Sequence, residues 1–90
     1  MPYNFCELII DVMKNFNSVF EAIKSLSEEN GEIKGGDVLD QIAQRSGIDK
    51  LCLHPYLQMI RDLALIKYCE EKGVVRLTEY GLRKRGVRAE

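Results

Sequence analysis

The stretch DKLCLHPYLQMIRDLALI, Asp49 to Ile66, decides how the rest of the chain is read. Leu53, Leu57, Ile60, Leu63 and Ala64 recur at helical spacing, which marks one apolar helix face. Pro55 has no amide proton and is comfortable only in the first turn of a helix. The helix therefore starts near Leu53, or the turn before it is irregular. At its C-terminal end the period changes to two. Ile66-Lys-Tyr-Cys69 alternates, Glu70-Glu-Lys-Gly73 is a turn, and Val74-Val-Arg-Leu77 alternates again, which predicts a short β-hairpin. Thr78 can cap a last helical segment to about residue 85, weakened by Gly81 and Gly86.

Upstream of this stretch the chain reads as helix. Phe5, Leu8, Ile9, Val12, Met13, Phe16, Val19, Phe20, Ile23 and Leu26 form one apolar stripe. Asn15 and Asn17 flank Phe16, and Ser18-Val-Phe-Glu21 fits a capping box. The expectation is a helix over about 4–15 and a second over about 18–28, with one continuous helix as the alternative. Gly31 is a natural stop. Asp37 is an N-cap for a short helix over about 37–46, with Val38, Leu39, Ile42 and Ala43 inward, and Ser46-Gly47 ends it.

The chain of 90 residues is 46% apolar and 30% charged, so it folds, and as one domain. No apolar run reaches the ~20 residues that span a bilayer. No basic start precedes an apolar core and a cleavage site, so a cytoplasmic protein is expected. The net charge of -1 argues weakly against a dedicated nucleic-acid binder, but it is unevenly spread. Residues 1–50 hold five Lys/Arg against nine Asp/Glu, and residues 51–90 hold eight against five. The basic excess lies at the end, in Arg83, Lys84, Arg85 and Arg88, and reads equally as a phosphate-binding arm or a solubilising tail. Cys6, Cys52 and Cys69 contain no CxxC pair and read as buried or reduced thiols, with an intersubunit disulfide at Cys6 as the alternative.

Three pieces in order resemble winged helix-turn-helix domains of archaeal and bacterial regulators, including small ones from archaeal viruses. They are VLDQIAQRSGI, then LHPYLQMIRDLALIKY, then VVRLTEYGLRKRG with its Leu-Thr-x-x-Gly ending. The fold this implies is mostly α with a small β-hairpin. It would be a single winged-helix domain with an extra N-terminal helix over 1–17, a core over 18–86 and a tail over 87–90. Ala64 stands where the family usually has Gly, and Pro55 interrupts a helix that is usually continuous.

The resemblance implies that the third helix, about 49–65, lies in the major groove of duplex DNA. Gln58 would then meet an adenine edge and Arg61 a guanine or a phosphate, with Lys50 and His54 on phosphates. Lys67, Lys72 and Arg76 of the wing and Arg83, Lys84 and Arg85 would touch the backbone without reading sequence. The wing tip carries Glu70 and Glu71, the wrong sign for phosphate. Phe5, Leu8, Ile9, Val12, Met13 and Phe16 either cover their own core or pair with a second copy. A symmetric dimer would set two reading helices roughly one DNA turn, ~34 Å, apart.

A second class is open. The start of the third helix is apolar, and Leu51, Cys52, Pro55 and Tyr56 would suit a protein partner in a module that does not bind DNA. His54 with Cys52 and Cys69 does not make a zinc pattern, which usually needs four well-placed groups. Gly35-Gly36 lacks the strand and Lys-Ser/Thr ending of a phosphate loop, and no nucleophile–base constellation is visible. No enzyme activity, metal or cofactor is expected.

Overall fold

The computed structural model describes residues 5–83, with side chains from residue 11 onward. Four helices and a hairpin follow in order: α1 (Phe5–Leu26), α2 (Val38–Ser46), a single 3-10 turn (Lys50–Cys52), α3 (Leu53–Asp62), β1 (Ile66–Cys69), β2 (Val74–Leu77) and α4 (Glu79–Arg83). The molecule is mostly helical, with one two-stranded antiparallel sheet. None of the described helices is long and apolar enough to cross a membrane.

The expected break near residue 16 is absent, because α1 is one helix of 22 residues. The capping signal at Ser18 and Glu21 competes with burial and loses. Phe16, Val19, Phe20 and Ile23 all lie in the core, so the apolar stripe keeps its phase through the Asn pair. Interrupting the helix there would pull Phe16 out of register. Asn15 uses its side chain outward along the helix, donating to the Tyr56 hydroxyl at 3.0 Å. The boundary drawn at residue 17 between an extra helix and the core therefore falls inside α1.

The caps read from sequence are used. Asp37 accepts from the Asp40 amide at 3.2 Å and opens α2. Gly47, at φ 76°, closes it, its amide reaching the Ala43 carbonyl at 2.9 Å. Pro55 occupies the first turn of α3, where no intrahelical donor is lost. The turn before it is the 3-10 segment, capped by Asp49 accepting from the Leu51 amide at 2.9 Å.

The end of α3 corrects the periodicity. Leu63 and Ala64 were expected on the core face, but α3 stops at Asp62 and both are exposed. Ala64 has φ 62°. Its amide bonds to the Arg61 carbonyl at 2.8 Å and the Leu65 amide to the Ile60 carbonyl at 3.2 Å. That pair of bonds is the Schellman closure, with Ala64 in the left-handed position usually held by glycine and Leu65 packed back toward Ile60. The reversal puts Leu65, not Ala64, in the core.

The hairpin pairs Ile66 with Leu77, Lys67 with Arg76, Tyr68 with Val75 and Cys69 with Val74. Ile66, Val75 and Leu77 are buried, while Lys67 and Arg76 share the solvent face. The loop after α1 lies alongside. Glu32 bridges to Arg76, Ser27 to Ile33, and the Leu77 amide donates to the Gly31 carbonyl at 2.9 Å. Gly31 is required by its φ of 85° and by the Leu77 carbonyl oxygen, which a Cβ would approach to 2.6 Å.

Candidate nucleic-acid interface

The region singled out in the sequence is α3 and the hairpin beside it. The two are joined at one point: His54 Nδ1 lies 2.9 Å from the Tyr68 hydroxyl and 3.7 Å from Glu70 Oε1, and the rings of His54 and Tyr68 are 5.7 Å apart. The Tyr68 hydroxyl is held above its usual pKa by burial and by the Glu70 charge. It therefore stays a neutral donor or acceptor for the imidazole. His54 is thus a link between α3 and the hairpin before it is a phosphate ligand.

Two of the expected cations are already engaged. Lys50 Nζ lies 2.6 Å from Asp37 Oδ2 and 3.0 Å from Asp40 Oδ1. The hydrogen bond from Lys50 is the main cause that holds the Asp37 carboxyl below its usual range, and the same contact raises Lys50. The lysine clips the turn before α3 onto the start of α2. Arg76 lies 3.4 Å from Glu32 and donates to the Asn30 carbonyl at 3.2 Å, which fastens β2 to the loop after α1.

The remaining groups are free to meet a ligand. Gln58 is half-buried and its side chain makes no hydrogen bond among the described residues. Arg61 is exposed, with only the adjacent Asp62 at 3.8 Å. Lys67, Lys72 and Arg83 are exposed and form no ion pair among the described residues. Lys84 and Arg85 lie outside the described residues. His54, Gln58 and Arg61, at steps of four and three, share the flank of α3 nearest the hairpin.

The outer edge is apolar. Leu51 is 89% exposed, and Cys52 and Pro55 are exposed beside it. Tyr56, expected in the same patch, turns the other way, packing against the core with its hydroxyl on Asn15. Cys52 and Cys69 are exposed free thiols, so of the expected buried or reduced thiols these two are of the reduced kind. No described group of three His, Cys, Asp or Glu side chains is placed to hold a metal.

Between α1 and the C-terminal end of α3, Val12, Met13, Phe16, Met59 and Leu63 line an apolar groove of about 180 Å³. Val12 and Met13 are half-buried there, whereas Phe16 is 4% exposed and belongs to the core. The side chains of Phe5, Leu8 and Ile9 lie outside the described set. Sequence reasoning missed Met59 and Leu63 as surface groups. Met59 is exposed within α3, and the exposure of Leu63 goes with the stop of α3 at Asp62.

Comparison with family models, with curated proteins and with solved structures gives no match for this chain.

Proposed function

We propose that this chain is a cytoplasmic winged helix-turn-helix regulator that binds duplex DNA as a homodimer, with no catalytic role and no cofactor. One observation carries the reading. Helix α2, the left-handed turn at Gly47 and α3 follow one another in the order of a helix-turn-helix, and the hairpin that follows is fixed against the first turn of α3 through His54 and Tyr68. In that arrangement the second helix of the pair enters the major groove. Gln58 and Arg61 supply the hydrogen bonds, and Lys67, Lys72 and the basic C-terminal residues supply phosphate contacts. Lys50 and Arg76, expected on DNA, act instead as internal clips. Two copies would pair along the first half of α1, where Val12 and Met13 meet Met59 and Leu63 at the groove.

A specific observation favours a second reading, a winged-helix protein-interaction module. Leu51 is exposed at the outer end of α3, and the lysine beside it is neutralised by two carboxylates. The test is selection from a random-sequence duplex pool by the purified protein, with its mass recorded in solution. The regulator reading predicts a dimer, enrichment of a near-palindrome, and loss of enrichment in Gln58→Ala and Arg61→Ala. Failure to retain any duplex at low salt refutes it.

A further inference from the structure

We infer that the apolar outer edge of α3 reads thymine C5-methyl groups, so that the preferred half-site carries A·T pairs where Leu51 and Pro55 lie; this rests on the DNA-binding reading above. Among the described residues Leu51 is the most exposed of the large apolar side chains, at 89%, and it sits at the N-terminal entry to α3. In a helix-turn-helix that entry is the part nearest the bases. The one cation there, Lys50, is held by Asp37 and Asp40 at 2.6 and 3.0 Å and is turned onto α2. His54 is held by Tyr68. The side chains left to face the groove floor at this end are therefore Leu51, Cys52 and Pro55, with Gln58 one turn on.

The chemistry then selects the base. Each pair shows hydrogen-bond donors and acceptors on its major-groove edge, and the thymine C5-methyl is the only apolar feature among them. Leu51 against a methyl buries apolar surface on both sides. Leu51 against the edge of a G·C pair would strip water from the N7, O6 and N4 groups and return no hydrogen bond, which is unfavourable. Gln58 pairs in two bonds with adenine, so the next position along the helix points to the same A·T composition. The edge is also narrow. It comprises Leu51 and Cys52 of the 3-10 turn and Pro55 of the first turn of α3, and so short a strip suits a groove of about 12 Å better than it suits a broad apolar partner surface.

The experiment compares the duplexes recovered from a random pool with the same duplexes synthesised with deoxyuridine for thymidine. The exchange removes every C5-methyl and keeps every Watson–Crick and groove hydrogen bond. Each buried methyl contributes about a fourfold factor in affinity. The wild-type protein is expected to bind the uracil duplex at least about fourfold more weakly, and Leu51→Ala to show a smaller ratio, reduced by the share of Leu51 and keeping only that of Pro55. Because Leu51 lies outside the core, the variant should keep the wild-type melting temperature, which is checked in parallel. Equal wild-type affinity for the two duplexes, with salt-sensitive binding intact, overturns this inference and leaves the DNA reading standing. No salt-sensitive retention of any duplex overturns both.

Discussion

Gly81→Ala is the substitution for which the structure makes the sharpest demand. Gly81 is buried in α4, and a Cβ at that position would stand 2.0 Å from the Leu65 carbonyl oxygen and 3.1 Å from Leu77 Cδ2. Its φ is not in the left-handed range, so alanine fits the backbone and the steric contact is isolated. The Leu65 oxygen cannot swing aside freely, because it accepts the Thr78 amide at 3.0 Å. Relief requires α4 to move by more than an ångström. That breaks the contact network around Thr78, whose Oγ1 donates to the Ala64 carbonyl at 2.6 Å and accepts the Gly81 amide at 2.9 Å. Three hydrogen bonds at about 1 kcal/mol each give a loss of roughly 3 kcal/mol. Alanine in place of glycine returns about 0.5–1 kcal/mol through chain entropy. The net destabilisation is roughly 2–2.5 kcal/mol, a fall in melting temperature on the order of 10–20 °C for a domain of this size. Urea and thermal unfolding followed by far-ultraviolet circular dichroism measure it. Gly36→Ala is the internal control: no atom lies within 4 Å of its Cβ and its φ is ordinary, so it should be neutral or slightly stabilising. A loss below about 0.5 kcal/mol in Gly81→Ala would refute the docking of α4 on the turn after α3.

Other consequences have different signs. Ala64→Gly removes a side chain yet should stabilise by about 0.5–1 kcal/mol, because the left-handed conformation costs alanine roughly 1–2 kcal/mol and the extra freedom of glycine offsets only part of that; no gain in urea midpoint would contradict the Schellman closure at this residue. The Lys50 clip is pH-dependent at both ends. Its Asp37 share is present above the carboxyl's usual value of 3.8 and is lost as pH falls through the depressed folded value. Its lysine share is present below the usual 10.5 and is lost as pH rises through the raised one. Lys50→Ala should therefore flatten the acid limb of a stability–pH curve, and an unchanged limb would count against the clip. Met59→Asp or Leu63→Asp should leave the monomer folded, since both are exposed, and should shift the solution mass from dimer to monomer by light scattering. A dimer that survives both would move the pairing surface elsewhere.

Local signals in the sequence were read well where the chemistry is local. The caps at Asp37 and Thr78, the left-handed glycine after α2 and the alternation of the two strands all involve residues within four positions of each other. What sequence could not reveal depends on distant partners. The capping box at Ser18 is a sound local motif, but burial of Phe16 beside Val19 and Phe20 outweighs it. Alanine rarely adopts the left-handed conformation, so the position of Ala64, where the resemblance has Gly, was the only hint of the end of α3 and of the exposure of Leu63. At the candidate site, α3 and its flank of His54, Gln58 and Arg61 were legible. The pairing of Lys50 with Asp37 and of Arg76 with Glu32 was not, since it joins residues 13 and 44 positions apart. Those pairs shift the expected phosphate contacts toward Lys67 and Lys72.

The central claim is that α3 and the hairpin hold duplex DNA, and its most direct test is the salt dependence of duplex binding. With about six phosphates neutralised, affinity should fall by about a thousandfold between 50 and 200 mM salt. The double variant Lys67→Ala/Lys72→Ala should reduce the logarithmic slope by about two, whereas Lys50→Ala should leave it unchanged because that lysine already serves Asp37 and Asp40. Binding that is absent at 50 mM, or that does not change across this range, would contradict the account.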